Sequence, residues 1–147
     1  MEIWIDADGC PVTALTAALA QQYKIPCTIL CDTAHVLQYP GAKTITVSKG
    51  ADSVDFALVN RVQKGDLVVT QDYGLAAMCL ARQAYAMHQD GGQYTPDNMD
   101  GLLAARHTAR CIRRQGGRLR GAPKRTPAQD QAFCRALEAW IHKMQTT

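Results

Sequence analysis

An α/β fold with a mainly parallel sheet, covered by helices on both faces, is what this 147-residue sequence predicts. Two observations carry the expectation. Strand-length apolar runs alternate with helix-length amphipathic segments, which is the order of a layered α/β protein. The runs themselves (IWI at 3–5, ILC at 29–31, LVV at 67–69) are apolar throughout. A strand that showed one face to water would instead alternate apolar with polar residues.

The elements follow in order. Residues 2–6 form the first strand, and residues 12–23 a helix with Val12, Leu15, Leu19 and Tyr23 at helical spacing and Pro11 suited to its first turn. PCTILC at 26–31 is a second strand. A loop with Pro40 and Gly41 leads to a third, TITV at 44–47. The spacing of Val54, Leu58 and Val62 predicts a helix over 51–63; Gly65 ends it, and DLVVT at 66–70 is the fourth strand. Residues 74–83 are again helical, and AYAM at 84–87 is a short fifth strand. Thr95–Pro96 is an N-cap and first-turn signal for a helix over 96–115, with Leu102, Ala105, Ala109 and Ile112 along its apolar stripe. A Gly/Pro/basic linker at 116–127 precedes a last helix to about 143, which turns Phe133, Leu137, Trp140 and Ile141 inward. The expected architecture is one three-layer α/β/α domain over 1–147 with a sheet of about five strands. Residues 1–93 form its core, and 94–147 supply a basic helix, a linker and a C-terminal helical extension packed on that core.

Composition narrows the class. The chain is 47% hydrophobic and 20% charged, and no apolar stretch reaches the roughly 18–20 residues that span a bilayer. The N-terminus shows no basic segment followed by a cleavable apolar one, so a cytoplasmic location without a membrane partner is expected. Six cysteines are scattered through periodic segments with no CxxC pair. Cys27 and Cys31 lie on one face of a strand, but four residues at about 3.3 Å each hold them roughly 13 Å apart. Bonds of about 2.3 Å to one zinc are then out of reach, and reduced, packed thiols are expected.

The acidic residues are placed with more purpose. Asp6 and Asp8 follow strand one, Asp52 and Asp55 follow strand three on one face of a helix start, and Asp72 follows strand four. All five come from strand carboxyl ends, where ligands bind in open parallel sheets. A single aspartate there is ordinarily a turn or cap residue, and Asp52 could simply favour a helix N-terminus. Five clustered carboxylates repel one another, and a hard divalent cation, Mg²⁺ or Mn²⁺, resolves the conflict with oxygen ligands, water and substrate phosphate. Such ions promote in-line phosphoryl displacement. Asp66 precedes its strand and belongs at the opposite pole. Asp32 reads as a loop residue.

The net charge of +3 conceals a division. Residues 101–129 hold eight basic residues and no acid, leaving −5 on the remainder. Arg106, Arg110, Arg113 and Arg114 share one side of the predicted basic helix, a surface suited to a polyanion, though a merely solvated face would look the same. Lys49, in Ser48-Lys49-Gly50, is placed either to meet a phosphate or to make a turn. Cys10 stands near the DAD triplet, yet no histidine is placed to activate it, and a packed thiol is expected. His35, His88, His107 and His142 show no ligand spacing.

The stretches IWIDADGCPV, GADSVDFALV, DLVVTQDYGLA, YTPDNM and DQAFCRALEAW together resemble the YaiI/YqxD family, also called UPF0178 or DUF188, over essentially the whole chain. That resemblance implies a PIN-like fold, and PIN domains are typically metal-dependent ribonucleases; the family's own activity is not established. It carries the family's acidic positions onto Asp6, Asp8, Asp52, Asp55 and Asp72, and its Tyr-Thr pair onto Tyr94 and Thr95 as substrate contacts. Where relatives tend to show Asn-x-Arg-Gly after strand five, this chain reads His88-Gln89-Asp90-Gly91. An arginine is missing there, and Asp90 is a further acid for the rim.

The leading expectation is a divalent-metal-dependent phosphodiesterase acting on nucleic acid, RNA ahead of DNA, with no obligate protein partner. Two others stand beside it. A haloacid-dehalogenase-type phosphatase would use Asp6 as nucleophile and Asp8 as acid/base, with Thr70 and Lys49 in supporting roles. A nucleic-acid-binding module without catalysis would keep the metal site for structure alone.

Overall fold

The computed structural model describes residues 1–8, 10–32, 38–48, 53–99, 101 and 124–146. Its centre is a six-stranded sheet: β1 (Ile3–Asp6), β2 (Cys27–Asp32), β3 (Lys43–Val47), β4 (Leu67–Val69), β5 (Tyr85–Met87) and β6 (Gln93–Tyr94). The strand order is β3-β2-β1-β4-β5-β6, and every pairing is parallel except β5 with β6. Helices α1 (Thr13–Gln22), α2 (Ser53–Arg61), α3 (Tyr73–Ala81) and α4 (Pro127–Gln145) join the strands or follow them.

Period-two alternation explains why the strands had to be apolar throughout. Ile3 and Ile5 of β1, Cys27, Ile29 and Cys31 of β2, and Leu67 and Val69 of β4 share one core with Leu19 of α1 and with Phe133, Leu137, Trp140 and Ile141 of α4. Trp4, Leu30 and Val68, the residues in between, join Leu58 of α2 and Leu75 and Cys79 of α3 in a second core on the other face. The molecule is therefore the expected three-layer α/β/α arrangement. Strand β3 is half-exposed along its length because it ends the sheet.

The sixth strand is additional to the five expected. It returns antiparallel on β5 through the turn at 88–92, closed by hydrogen bonds from the His88 N–H to the Gly92 carbonyl at 2.7 Å and from the Gly91 N–H to the His88 carbonyl at 2.9 Å. Gly91 has φ +93°, and a Cβ there would lie 2.9 Å from the Ala132 carbonyl oxygen and 3.0 Å from the Ala136 Cβ, both on α4. Gly91→Ala is expected to cost about 1–3 kcal/mol through backbone strain and forced separation of the turn from α4. Urea denaturation checks it.

Two helix starts match the sequence signals. The Thr95 N–H donates to Asn98 Oδ1 at 3.0 Å and the Asn98 N–H returns to Thr95 Oγ1 at 3.3 Å, a reciprocal cap ahead of the helical residues 96–99. Gln129 likewise reaches back to the Thr126 N–H at 2.7 Å, with Pro127 in the first turn of α4. Among the described residues no helix is long and apolar enough to cross a membrane.

Candidate active site

After β1 the chain builds outward through β2 to β3, then crosses back to lay β4 on the other side of β1. The carboxyl ends of β1 and β4 thus frame the point where strand order reverses, the place where open α/β sheets leave a crevice. Ile5 pairs with Val69, so the next residues along, Asp6 and Thr70, lie side by side and point to the same face of the sheet.

Both are buried. Asp6 is 6% exposed and Thr70 1%. The Thr70 hydroxyl donates to Asp6 Oδ2 at 2.9 Å and accepts the Asp72 N–H at 3.0 Å. Asp72 in turn caps α3, its Oδ1 accepting from the N–H groups of Gly74 at 2.8 Å and Leu75 at 3.2 Å. One hydroxyl therefore ties the acid ending β1 to the acid that opens the helix after β4. Burial is the main cause that raises Asp6 from its ordinary carboxylate value to about 6; the charges of Asp8 and Asp72 push the same way, against the Thr70 hydrogen bond. Asp8 is exposed at the tip of the turn after β1, where the Cys10 N–H closes on the Ala7 carbonyl at 3.2 Å.

Thr70 itself is held on every side. Its N–H donates to the Met87 carbonyl at 3.1 Å, and its carbonyl accepts the Tyr94 hydroxyl at 3.2 Å. Sequence reasoning considered Thr70 only for the phosphatase alternative. The available signal was a Thr ending a strand two residues before a helix-capping Asp, a spacing that lets the hydroxyl take the capping residue's N–H.

The other expected residues are distributed as follows. Asp55 sits in the first turn of α2, half-buried, and its charge falls on Cys79 of α3. Tyr94 is buried as a strut, and burial pushes its hydroxyl far up. Thr95 makes the cap already described. Asp52, Lys49, Arg106, Arg110, Arg113, Arg114, His35, His107 and Cys111 lie outside the described residues. Asp32 closes β2 opposite Val47 rather than lying in a loop. Asp66 is at the opposite pole, as expected.

Asp90 does not turn to the rim. Its Oδ1 accepts from Arg125 Nη1 at 2.9 Å, while Arg125 Nε donates to Asp130 at 2.6 Å and Nη2 to the Gln89 carbonyl at 2.8 Å. An arginine thus does reach the 88–91 turn, but from the linker before α4. The described cysteines Cys10, Cys27, Cys31, Cys79 and Cys134 are all free. Burial pushes the thiols of Cys27 and Cys79 up to about 12 and that of Cys10 upward as well, so none of these three is a ready thiolate.

Residues 4–143 match the family model described as "Uncharacterized BCR, YaiI/YqxD family". A UPF0178 protein of Exiguobacterium sibiricum is 53% identical over 133 residues, which is 90% of this chain and 91% of that protein. A second, from Clostridium acetobutylicum, is 47% identical over 96% of this chain and 97% of its own length. A third, from Natranaerobius thermophilus, is 40% identical over the full length of both. No solved structure matches at a significant level.

Proposed function

We propose, for a chain that belongs to the YaiI/YqxD (UPF0178) family, that the rim formed by β1 and β4 is the active site of a divalent-metal-dependent phosphodiesterase acting on RNA. The observation that carries this reading is the Asp6–Thr70–Asp72 unit at the strand-order reversal: a buried acid bonded to a hydroxyl that also accepts the backbone N–H of the acid following the neighbouring strand. Leaving a carboxylate buried and pressed by two like charges costs stability, and a bound cation removes that cost.

The donor set fits Mg²⁺ or Mn²⁺, being carboxylate oxygen alone. Among the described residues no three His, Cys, Asp or Glu side chains form a metal cage. Mg²⁺ does not require one, since it is commonly held by one or two carboxylates with water and substrate phosphate completing the shell. Asp6 and Asp72 would be the principal holders, with Asp8 at the exposed edge and Asp55 in the first turn of α2; Asp52 is proposed as a further ligand from the sequence alone. When bound, the cation supplies Lewis-acid activation of water and charge neutralisation for phosphodiester hydrolysis. The chain's own part is orientation. Thr70 fixes the Asp6 carboxyl by donating its proton, the first N–H groups of α3 fix Asp72, and Tyr94 holds the Thr70 carbonyl in place. Arg106, Arg110, Arg113 and Arg114 are proposed to carry the strand's phosphates. The PIN-like reading of the fold is compatible with this parallel sheet and its acid-bearing carboxyl ends.

The test is cleavage of single-stranded RNA in Mn²⁺ or Mg²⁺. Asn caps helices about as well as Asp, so Asp72→Asn keeps the fold of α3. Both Asp72→Asn and Asp6→Asn are expected to lower cleavage by at least about 100-fold, the scale on which enzymes lose rate when a transition-state charge contact is removed. Robust cleavage by both folded variants overturns the proposal. A phosphatase would turn Thr70 toward the phosphoryl group; here the residue is 1% exposed and its hydroxyl is engaged on both sides. Trapping of beryllium fluoride on Asp6 would reverse that preference.

A further inference from the structure

Immediately beside the acidic rim lies a cavity of about 320 Å³ whose walls include Tyr73, His88 and Tyr94, with Asp90 and Gln93 among its polar groups. Its volume is at the small end of the roughly 300–1,000 Å³ seen for ligand pockets. A second cavity of about 420 Å³ shares Tyr73 and His88 with the first and is lined also by Gln71 and Asp72. The two cavities adjoin at the rings of Tyr73 and His88, with Asp72 lining one and Tyr94 the other.

The aromatic end is preorganised. Tyr94 is 2% exposed and anchored through its hydroxyl, so it cannot swing away. Tyr73 packs against it edge-on with ring centroids 5.8 Å apart at 71°, and His88 does the same at 6.1 Å and 78°. Tyr73 and His88 are both half-buried, so each ring retains accessible surface. The His88 ring is further set by the Asp90 N–H, which donates to its Nδ1 at 3.1 Å; in the neutral ring the proton then sits on Nε2, a donor for a ligand. The Arg125 clamp on Asp90 and Gln89 holds the turn that carries this histidine. Rigid aromatic faces with a few polar groups at the edge are the chemistry that holds an unpaired base without strong sequence preference. Tyr73 and Asp72 line the same cavity, so a base resting on the Tyr73 ring has an acid of the rim within the same space as its backbone.

We infer that this aromatic cavity is a base-binding subsite, in which an unpaired nucleobase of a single-stranded RNA stacks on Tyr73 beside His88 while the adjoining phosphate lies at the Asp6–Asp72 rim. The inference rests on the nucleic-acid reading of that rim and names the substrate as single-stranded.

The experiment is fluorescence anisotropy in EDTA, comparing a labelled oligouridylate with an abasic ribose-phosphate strand of equal length. Stacking contributes about 1–3 kcal/mol per base, so the wild-type protein is expected to bind the base-bearing strand about 5- to 150-fold more tightly. Tyr73→Ala is expected to erase that difference while leaving affinity for the abasic strand unchanged, and Tyr73→Phe to preserve it. Equal wild-type affinities for the two strands overturn the inference without recourse to any variant, so misfolding of Tyr73→Ala does not shelter it. Equal weakening of both strands by Tyr73→Ala overturns it too. Cleavage without base discrimination removes the subsite and leaves the phosphodiesterase standing. Base discrimination without cleavage in any divalent metal supports the subsite and removes the enzyme, and absence of binding to either strand overturns the subsite while the cleavage assay decides the enzyme.

Discussion

Asp6→Asn is expected to make the protein more stable at neutral pH while depriving it of cleavage. Burial, reinforced by Asp8 and Asp72, lifts the Asp6 carboxyl from 3.8 to about 6. Between those two values the folded chain holds a proton that the unfolded chain has released. Stability therefore falls as pH rises through that window, and the whole cost is present above it. At about 1.4 kcal/mol per unit, the charged carboxylate costs on the order of 3 kcal/mol at pH 7. Asn has nearly the same shape, accepts the Thr70 proton through its amide oxygen, and carries no charge. The variant should melt roughly 5–10 °C above wild type at pH 7.5, with the gain shrinking below pH 6 and gone near pH 4. Thermal unfolding at several pH values measures it, and equal melting temperatures at pH 7.5 would refute the electrostatic account of the site. Divalent metal supplies the companion readout. A ligand at about 100 times its dissociation constant stabilises by about 2.7 kcal/mol, so Mn²⁺ should raise the wild-type melting temperature far more than that of Asp6→Asn.

The placement of Asp6 behind this expected opposition was half visible in the residues. An acid directly after an all-apolar strand announces an exposed carboxyl end, and the positions of Asp6, Asp8 and Asp72 relative to their strands told on which pole they lie. That Asp6 is itself buried, and that Thr70 binds it to Asp72, depends on β4 lying next to β1. Strand adjacency across a crossover is a long-range fact that periodicity does not carry. Strand β6 was missed for a different reason: Gln93 and Tyr94 are too few to show alternation, and the pairing is set by the turn at Gly91, which packs on α4. Arg125 shows the limit of counting charge. In the sequence it belongs to an uninterrupted basic block; in the fold its guanidinium is committed to Asp90, Asp130 and the Gln89 carbonyl, so it organises the 88–91 turn instead of presenting a spare cation.

Asp66→Asn is expected to do the reverse of Asp6→Asn, although both aspartates are 6% exposed. Asp66 stands just before β4, at the amino-end pole, where three donors converge on its carboxylate. Oδ1 accepts the Glu2 N–H at 3.0 Å, and Oδ2 accepts the Trp4 indole N–H and the Gln63 N–H, both at 2.9 Å. These bonds tie the start of β1 to the turn before β4 and orient a tryptophan of the α2/α3 core. An asparagine keeps one acceptor oxygen and turns an NH₂ group against at least one donor, leaving it buried and unpaired. Hydrogen bonds to a charged partner contribute about 1.5–3 kcal/mol each, so the substitution should cost about 2–4 kcal/mol and lower the melting temperature by roughly 5–15 °C. Cleavage per folded molecule, measured well below that temperature, should stay at the wild-type level, because no part of this cluster belongs to the carboxyl-end crevice. Loss of cleavage in folded Asp66→Asn would place chemistry at the wrong pole and defeat the assignment of the rim. The two aspartates thus separate what burial alone cannot: Asp66 is buried among three donors that satisfy it, whereas Asp6 is raised by burial and by the charges of Asp8 and Asp72, which is the environment the proposed cation would relieve.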